Sequence, residues 1–135
     1  AEKIASENRL HQAFLACSRK AAEMAREAVQ GIMICNMDRQ NDNLNYINET
    51  IESEAEFIQL TQPITPSLPD YTRRLKEKGI RVNFFGTDSP EEIRVLFKSG
   101  VDFPLVNDII HLMKIAGETG IPPVVPQFRA GIQKK

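Results

Sequence analysis

The stretch GIRVNFFGTDSPEEIRVLFKSGVDFPLVN, residues 79–107, decides the fold. Ile80, Val82 and Phe84 alternate with Arg81, Asn83 and Phe85, which predicts a strand with one apolar face and one face of polar and aromatic groups. Ser89, Pro90 and Glu92 then open a helix. Ser89 is placed to accept an orphan amide, Pro90 has no amide to satisfy at the first position, and Glu92 is expected to reach back to the cap. Ile93, Leu96 and Phe97 share one helical face, and Gly100 stops the helix before a second strand over residues 101–106. Strand, capped helix and strand with short links form a βαβ unit, which requires parallel strands and a right-handed crossover.

Moving outward, the same unit recurs. A helix tail over residues 4–10 leads to a short strand over 13–17 that carries Phe14 and Leu15. Ser18 is expected to cap the next helix, whose buried stripe is read as Ala21, Ala22, Met24, Ala25, Ala28 and Val29, with Gly31 closing it. Residues 32–35, nearly all apolar, predict a covered strand. After a polar loop, the helix over 44–53 places Leu44, Ile47 and Ile51 on one side, with Asn48, Glu49 and Glu52 as a solvated face. A third strand covers 56–61. The proline-rich TQPITPSLPD follows, and Pro69 starts a helix anchored by Tyr71 and Leu75 and ended by Gly79. Five strand-like segments alternate with four helices, which argues for an α/β fold with a mostly parallel sheet. Ile109, Ile110, Leu112, Met113 and Ala116 predict a last helix. Residues 1–120 thus read as the domain and 121–135 as a proline-containing extension.

The 135 residues, 41% of them hydrophobic, fit one globular domain. A net charge of -1 with scattered basic residues gives no general attraction to nucleic acid or an anionic membrane. No apolar run approaches the roughly 20 residues that span a bilayer. The opening AEKIASENRL has no signal-peptide core and reads as a helix already under way, so an upstream segment is expected. Cys17 and Cys35 lie on separate strands without metal-ligand spacing and are read as buried free thiols, which leaves the compartment open.

In parallel α/β folds ligands bind at the carboxyl ends of the strands. Those ends are Cys17 and Ser18, residues 36–38, residues 59–62, residues 85–88, and Asn107 with Asp108. The set is rich in amides and hydroxyls. His11 and His111 belong to helices and form no catalytic spacing. Asp38 and Asp88 are explained as turn and cap residues, and the pairs Glu91 with Glu92 and Glu52 with Glu54 as solvated helix faces. Phe85 is the aromatic of interest, divided between core packing and ligand stacking. No glycine-rich phosphate loop is present.

GIRVNFFGTDSPEEIRVLFKSGVDFPLVND resembles the closing section of glycerophosphodiester phosphodiesterases, where a helix ending in Gly leads to a strand, a helix, a Gly-Val-Asp and a last strand. AFLACSRKAAEMAREAVQGIMICNM is similar to that family's strand with a Ser-rich end, followed by helix and strand, so the likeness runs over most of residues 9–108. It implies the carboxyl-terminal part of a (β/α)8 TIM barrel that hydrolyses a glycerophosphodiester with a divalent cation, Ca or Mg. Phe85 would replace the Trp that lines the substrate pocket, and Asn107 would replace an Asp after the last strand. Gln59, Asn83 and Phe85 are the implied substrate-binding residues. The His-Arg-Gly, Glu-x-Asp and His-Asp elements that bring metal ligands and proton-transfer groups to such enzymes are absent from this sequence, so no catalytic or metal-binding residue is assigned. Three arrangements stay open. The chain is the later part of a larger hydrolase, or a noncatalytic half-barrel that pairs with a second copy, or a small open flavodoxin-like sheet.

Overall fold

Ile58 and Leu60 of one strand and Val82 and Phe84 of the next lie in a single apolar cluster with Tyr46, Ile47, Leu68, Leu75 and Leu96, side chains of three helices. This is the helix-covered side of the sheet. The computed structural model describes residues 2–122. Its strands are β1 (Phe14–Cys17), β2 (Met33–Asn36), β3 (Phe57–Thr61), β4 (Arg81–Phe85) and β5 (Phe103–Leu105), all parallel and in the order β1-β2-β3-β4-β5. The helices are α1 (Glu2–Ser6), α2 (Arg19–Ala28), α3 (Asn43–Glu52), α4 (Leu68–Glu77), α5 (Pro90–Lys98) and α6 (Ile109–Glu118), with a 3-10 turn at Leu10–Gln12. Of the extension expected over 121–135, residues 123–135 lie outside the described residues.

Sequential strand order decides between the alternatives. A flavodoxin-like sheet reverses direction after its second strand, giving the order 2-1-3-4-5, and so places helices on both faces. Here every crossover runs the same way, and a right-handed crossover repeated without reversal puts all connecting helices on one face. The other face carries Phe14, Met33, Cys35, Phe57, Gln59, Thr61, Arg81, Asn83, Phe85, Phe103 and Leu105 by strand alternation.

That second face is concave. Phe14 of β1 and Phe57 of β3 stack with ring centroids 4.5 Å apart, and Phe57 and Phe103 of β5 approach to 5.9 Å. In a flat sheet, strands two apart are separated by roughly 9.5 Å. The register gives the pitch of the curl. Phe14 is level with Met33, while Phe57 is level with Cys35, two residues further along β2. Phe57 is in turn level with Arg81, while Phe103 is level with Asn83, again two residues further. The aromatic row therefore climbs two residues for every two strands. Carried round eight strands, that is a shear of about 8, the value of a (β/α)8 barrel, whose interior is filled in layers by alternate strands. Phe14, Phe57 and Phe103, from the odd strands, are such a layer.

Local details differ from the sequence reading where tertiary packing overrides periodicity. Met24 and Ala28 of α2 face solvent, and only Ala22 of that helix is buried. In α3, Leu44 is exposed while Tyr46, Ile47 and Thr50 are buried. Ser18 occupies the cap position of α2 but its hydroxyl accepts no amide. Ser89 does accept from the Glu92 amide, yet the Glu92 carboxylate turns away to accept from Gln62 Nε2 at 3.0 Å. Gly100 has φ 85°, and a Cβ there would meet Thr72 Oγ1 at 3.3 Å. The Thr72 hydroxyl spans the carbonyls of Pro69 and Ser99, so the α5–β5 turn is tied to α4.

Candidate functional site

Three polar side chains fix the carboxyl end of β2 against α3. Asn36 Nδ2 donates to Thr50 Oγ1 at 2.8 Å, Thr50 donates to the Tyr46 carbonyl at 2.7 Å, and the Tyr46 hydroxyl returns to the Asn36 carbonyl at 2.6 Å. The Tyr46 hydroxyl also reaches the Gln59 carbonyl at 3.3 Å, which joins β2 to β3. Desolvation by burial pushes the Tyr46 phenol well above its ordinary range, so it acts as a neutral donor. Asn36 Oδ1 accepts from the Asp38 amide at 2.9 Å, which aims the following loop across the sheet. Arg39 then donates to Gln59 Oε1.

On the far side, Asp88 holds two loops together. Its carboxylate accepts from Asn107 N and Nδ2, both at 2.6 Å, and from Asp108 N at 3.4 Å. These bonds, the Asn107 side-chain amide first, hold the Asp88 carboxyl below the usual carboxylate range. Asp108 caps α6 by accepting from His111 N at 3.0 Å. The rim from β4 to α6 is thus set by carboxylate-to-amide bonds. A shallow cleft of about 370 Å³ lies between these loops, lined by Phe85, Thr87, Asp88, Leu105 and Asn107 among others.

Between the two rims lies the upper part of the concave face. Gln59 and Asn83 are register partners on β3 and β4, and Phe85 is two residues beyond Asn83 on the same face. The structure therefore brings together the three substrate-binding residues expected from sequence, in three different environments. Gln59 is half-buried, with its amide oxygen taken by Arg39. Asn83 is only 6% exposed, and its Oδ1 has no hydrogen-bond partner among the described residues. Phe85 is 51% exposed and lies level with Thr61 on one side and Leu105, 46% exposed, on the other. Leu105 and Arg39 fall outside the strand-end windows read from the sequence, while Thr61 lies inside one, residues 59–62, without being singled out. Arg39 lies one position past residues 36–38, and the strand-end rule extended by one residue includes it.

Other candidates fall elsewhere. His11 is at the opposite, amino-terminal end of the strands, beside Phe14 and Arg81, and His111 is exposed on α6. The Gly-Val-Asp element is structural. Asp102 accepts the Val82 amide at 2.7 Å and pairs with Lys76 at 3.2 Å, as Glu56 accepts the Ile34 amide at 2.7 Å two units earlier. Cys17 and Cys35 are free thiols, and burial raises Cys35 to about 11. Among the described residues no three His, Cys, Asp or Glu side chains converge to hold a metal ion, so the divalent cation implied by the resemblance has no donor set among them. No helix of the described residues is long and apolar enough to cross a membrane.

The sequence matches no protein-family model and no curated protein. Solved structures do match. The chain superposes on a protein of Silicibacter pomeroyi DSS-3 assigned as a glycerophosphoryl diester phosphodiesterase with TM-score 0.71 and 14% identity, covering 89% of this chain and 43% of that one. It superposes on a glycerophosphodiester phosphodiesterase of Parabacteroides distasonis ATCC 8503 with TM-score 0.73 and 14% identity, covering 88% and 49%. The chain spans less than half the length of each of these structures. At this identity the likeness is one of fold, and the fold is an arc of the same barrel.

Proposed function

We propose that the chain is the carboxyl-terminal portion of a glycerophosphodiester phosphodiesterase-like hydrolase and forms the substrate-side wall of its barrel. Residues 1–120 make up the barrel part and 121–135 an extension. The observation that carries this reading is the match of nearly nine-tenths of the chain to under half of each of two such structures, with the bare concave face on the side a complete barrel would enclose. Phe85, Thr61 and Leu105 offer an apolar shelf at the strand ends for the glycerol or alcohol carbon chain. Gln59 and Asn83 offer amides deeper in. Arg39 supplies positive charge at the rim for the phosphate, where a guanidinium binds oxygens in a fixed fork. When bound, a divalent cation would polarise the phosphate and activate water. In this proposal its ligands and the proton-transfer groups come from an amino-terminal segment, and this chain binds and orients.

The test is a chimaera in which this chain replaces the matching part of the Parabacteroides distasonis enzyme. Folded chimaera is expected to release alcohol from a glycerophosphodiester in a cation-dependent way. Arg39→Ala should raise KM about tenfold and Phe85→Ala should raise it by less. A folded, cation-loaded chimaera without hydrolysis would contradict the proposal. A second reading, a noncatalytic module that dimerises through its sheet edges, draws on one observation: among the described residues β1 and β5 are each paired on one side only. Sedimentation showing a monomer at high concentration would remove it.

A further inference from the structure

The concave face is incomplete in a way that specifies what completes it. A barrel layer holds four side chains from alternate strands. The layer of Phe14, Phe57 and Phe103 has three, and all three come from odd strands of a five-stranded sheet. Its open seat falls on the second strand beyond either edge. The next layer up is built by the even strands, where Cys35 and Asn83 occupy two seats and both are buried. Two seats remain, one on the strand that would pair with β5 and one on the strand that would pair with β1. Asn83 Oδ1 sits in this layer without a hydrogen-bond partner among the described residues. Buried side-chain acceptors are nearly always satisfied, and leaving one unpaired is destabilising.

We infer that this face is the docking surface for a parallel β/α segment of three strands. The middle strand brings a bulky apolar side chain onto the Phe14, Phe57 and Phe103 layer, and the strand pairing with β5 brings a hydrogen-bond donor to Asn83 Oδ1. A second copy of the chain does not meet this description. Two copies would bring ten strands, against the eight strands and four-membered layers of a (β/α)8 barrel. Closure presupposes the barrel reading proposed above but not its chemistry, and the two are separable by experiment.

Fusions carry two, three or four consecutive β/α units, taken from the part of the Parabacteroides distasonis enzyme preceding the matched region, ahead of the full chain. The three-unit fusion is expected to be monomeric, with amide exchange in both β1 and β5 slowed at least tenfold relative to the chain alone. The two- and four-unit fusions should leave at least one edge exchanging at the rate of the chain alone. In the three-unit fusion, the inward position of the strand next to β5 is then randomised and monomers are selected. Hydrogen-bond donors should be enriched opposite Asn83, and apolar residues opposite Asn83→Leu. Equal edge protection in the two- or four-unit fusion, or the same residues enriched in both backgrounds, would overturn the inference. If no fusion folds, thermal unfolding of the chain alone decides: Asn83→Leu, which removes the orphan acceptor, must raise Tm, and a fall would overturn it. A closed fusion that fails to hydrolyse a glycerophosphodiester counts against the hydrolase reading and leaves closure standing.

Discussion

Phe57 stacks on Phe14 from two strands away, with ring centroids 4.5 Å apart and planes inclined by 27°. The Arg81 guanidinium lies 4.2 Å from the centre of the same ring. Phe57 is 3% exposed although it faces the side of the sheet that no helix of the described residues covers, while Phe14 is 44% exposed. Its burial comes from curvature: neighbouring side chains converge over it.

Truncating that ring should therefore cost as much as truncating a conventional core residue. Phe57→Ala is expected to destabilise the chain by about 3–5 kcal/mol. Phe14→Ala should cost about 1–2 kcal/mol, because roughly half of its ring is already in water. Urea denaturation of both variants measures the contrast. Equal losses would mean that the sheet is flatter than the stacking requires.

The β2–α3 anchor makes a second prediction. Thr50→Val keeps the side-chain shape but leaves Asn36 Nδ2 buried without its acceptor. The expected cost is about 1–3 kcal/mol. The loop carrying Asp38 and Arg39 should also loosen, which amide exchange at those residues reports.

The strand–helix alternation, the parallel pairing and the helix-covered core were legible because each rests on local pattern: Ile58, Leu60, Val82 and Phe84 alternate, and glycines end the helices. The Phe14, Phe57 and Phe103 layer was not legible. Those residues are far apart in sequence, and only the pairing register makes them neighbours. Tyr46 and Thr50 were missed for a related reason. Polar groups earn a buried place through partners on another element, here Asn36 and Gln59, and no helical period records that. Leu44 and Met24 show the converse, apolar residues at core spacing on helix surfaces that nothing in the described residues covers. That Gln59, Asn83 and Phe85 share one face was legible because strand alternation is local. Their differing exposure depends on neighbours that the sequence does not order.

Acid sensitivity should trace in part to Asp88. Its folded pKa is lowered by bonds from Asn107 and Asp108, so its contribution to stability is present above the unfolded pKa, about 3.9. It is lost as pH falls through the lower folded value. The stability difference between wild type and Asp88→Asn should be constant above about pH 5 and shrink below about pH 4. A difference that instead grew on acidification would contradict the bonding to Asn107.

The central claim is that five parallel strands curl into an arc of a barrel, with their helices outside. Nuclear Overhauser contacts from the Phe57 ring protons in the isolated chain test it most directly. The account predicts contacts to the rings of both Phe14 and Phe103, together with the parallel cross-strand pattern between β3 and β4. A Phe57 ring that contacts neither, or an antiparallel pattern between those strands, would contradict it.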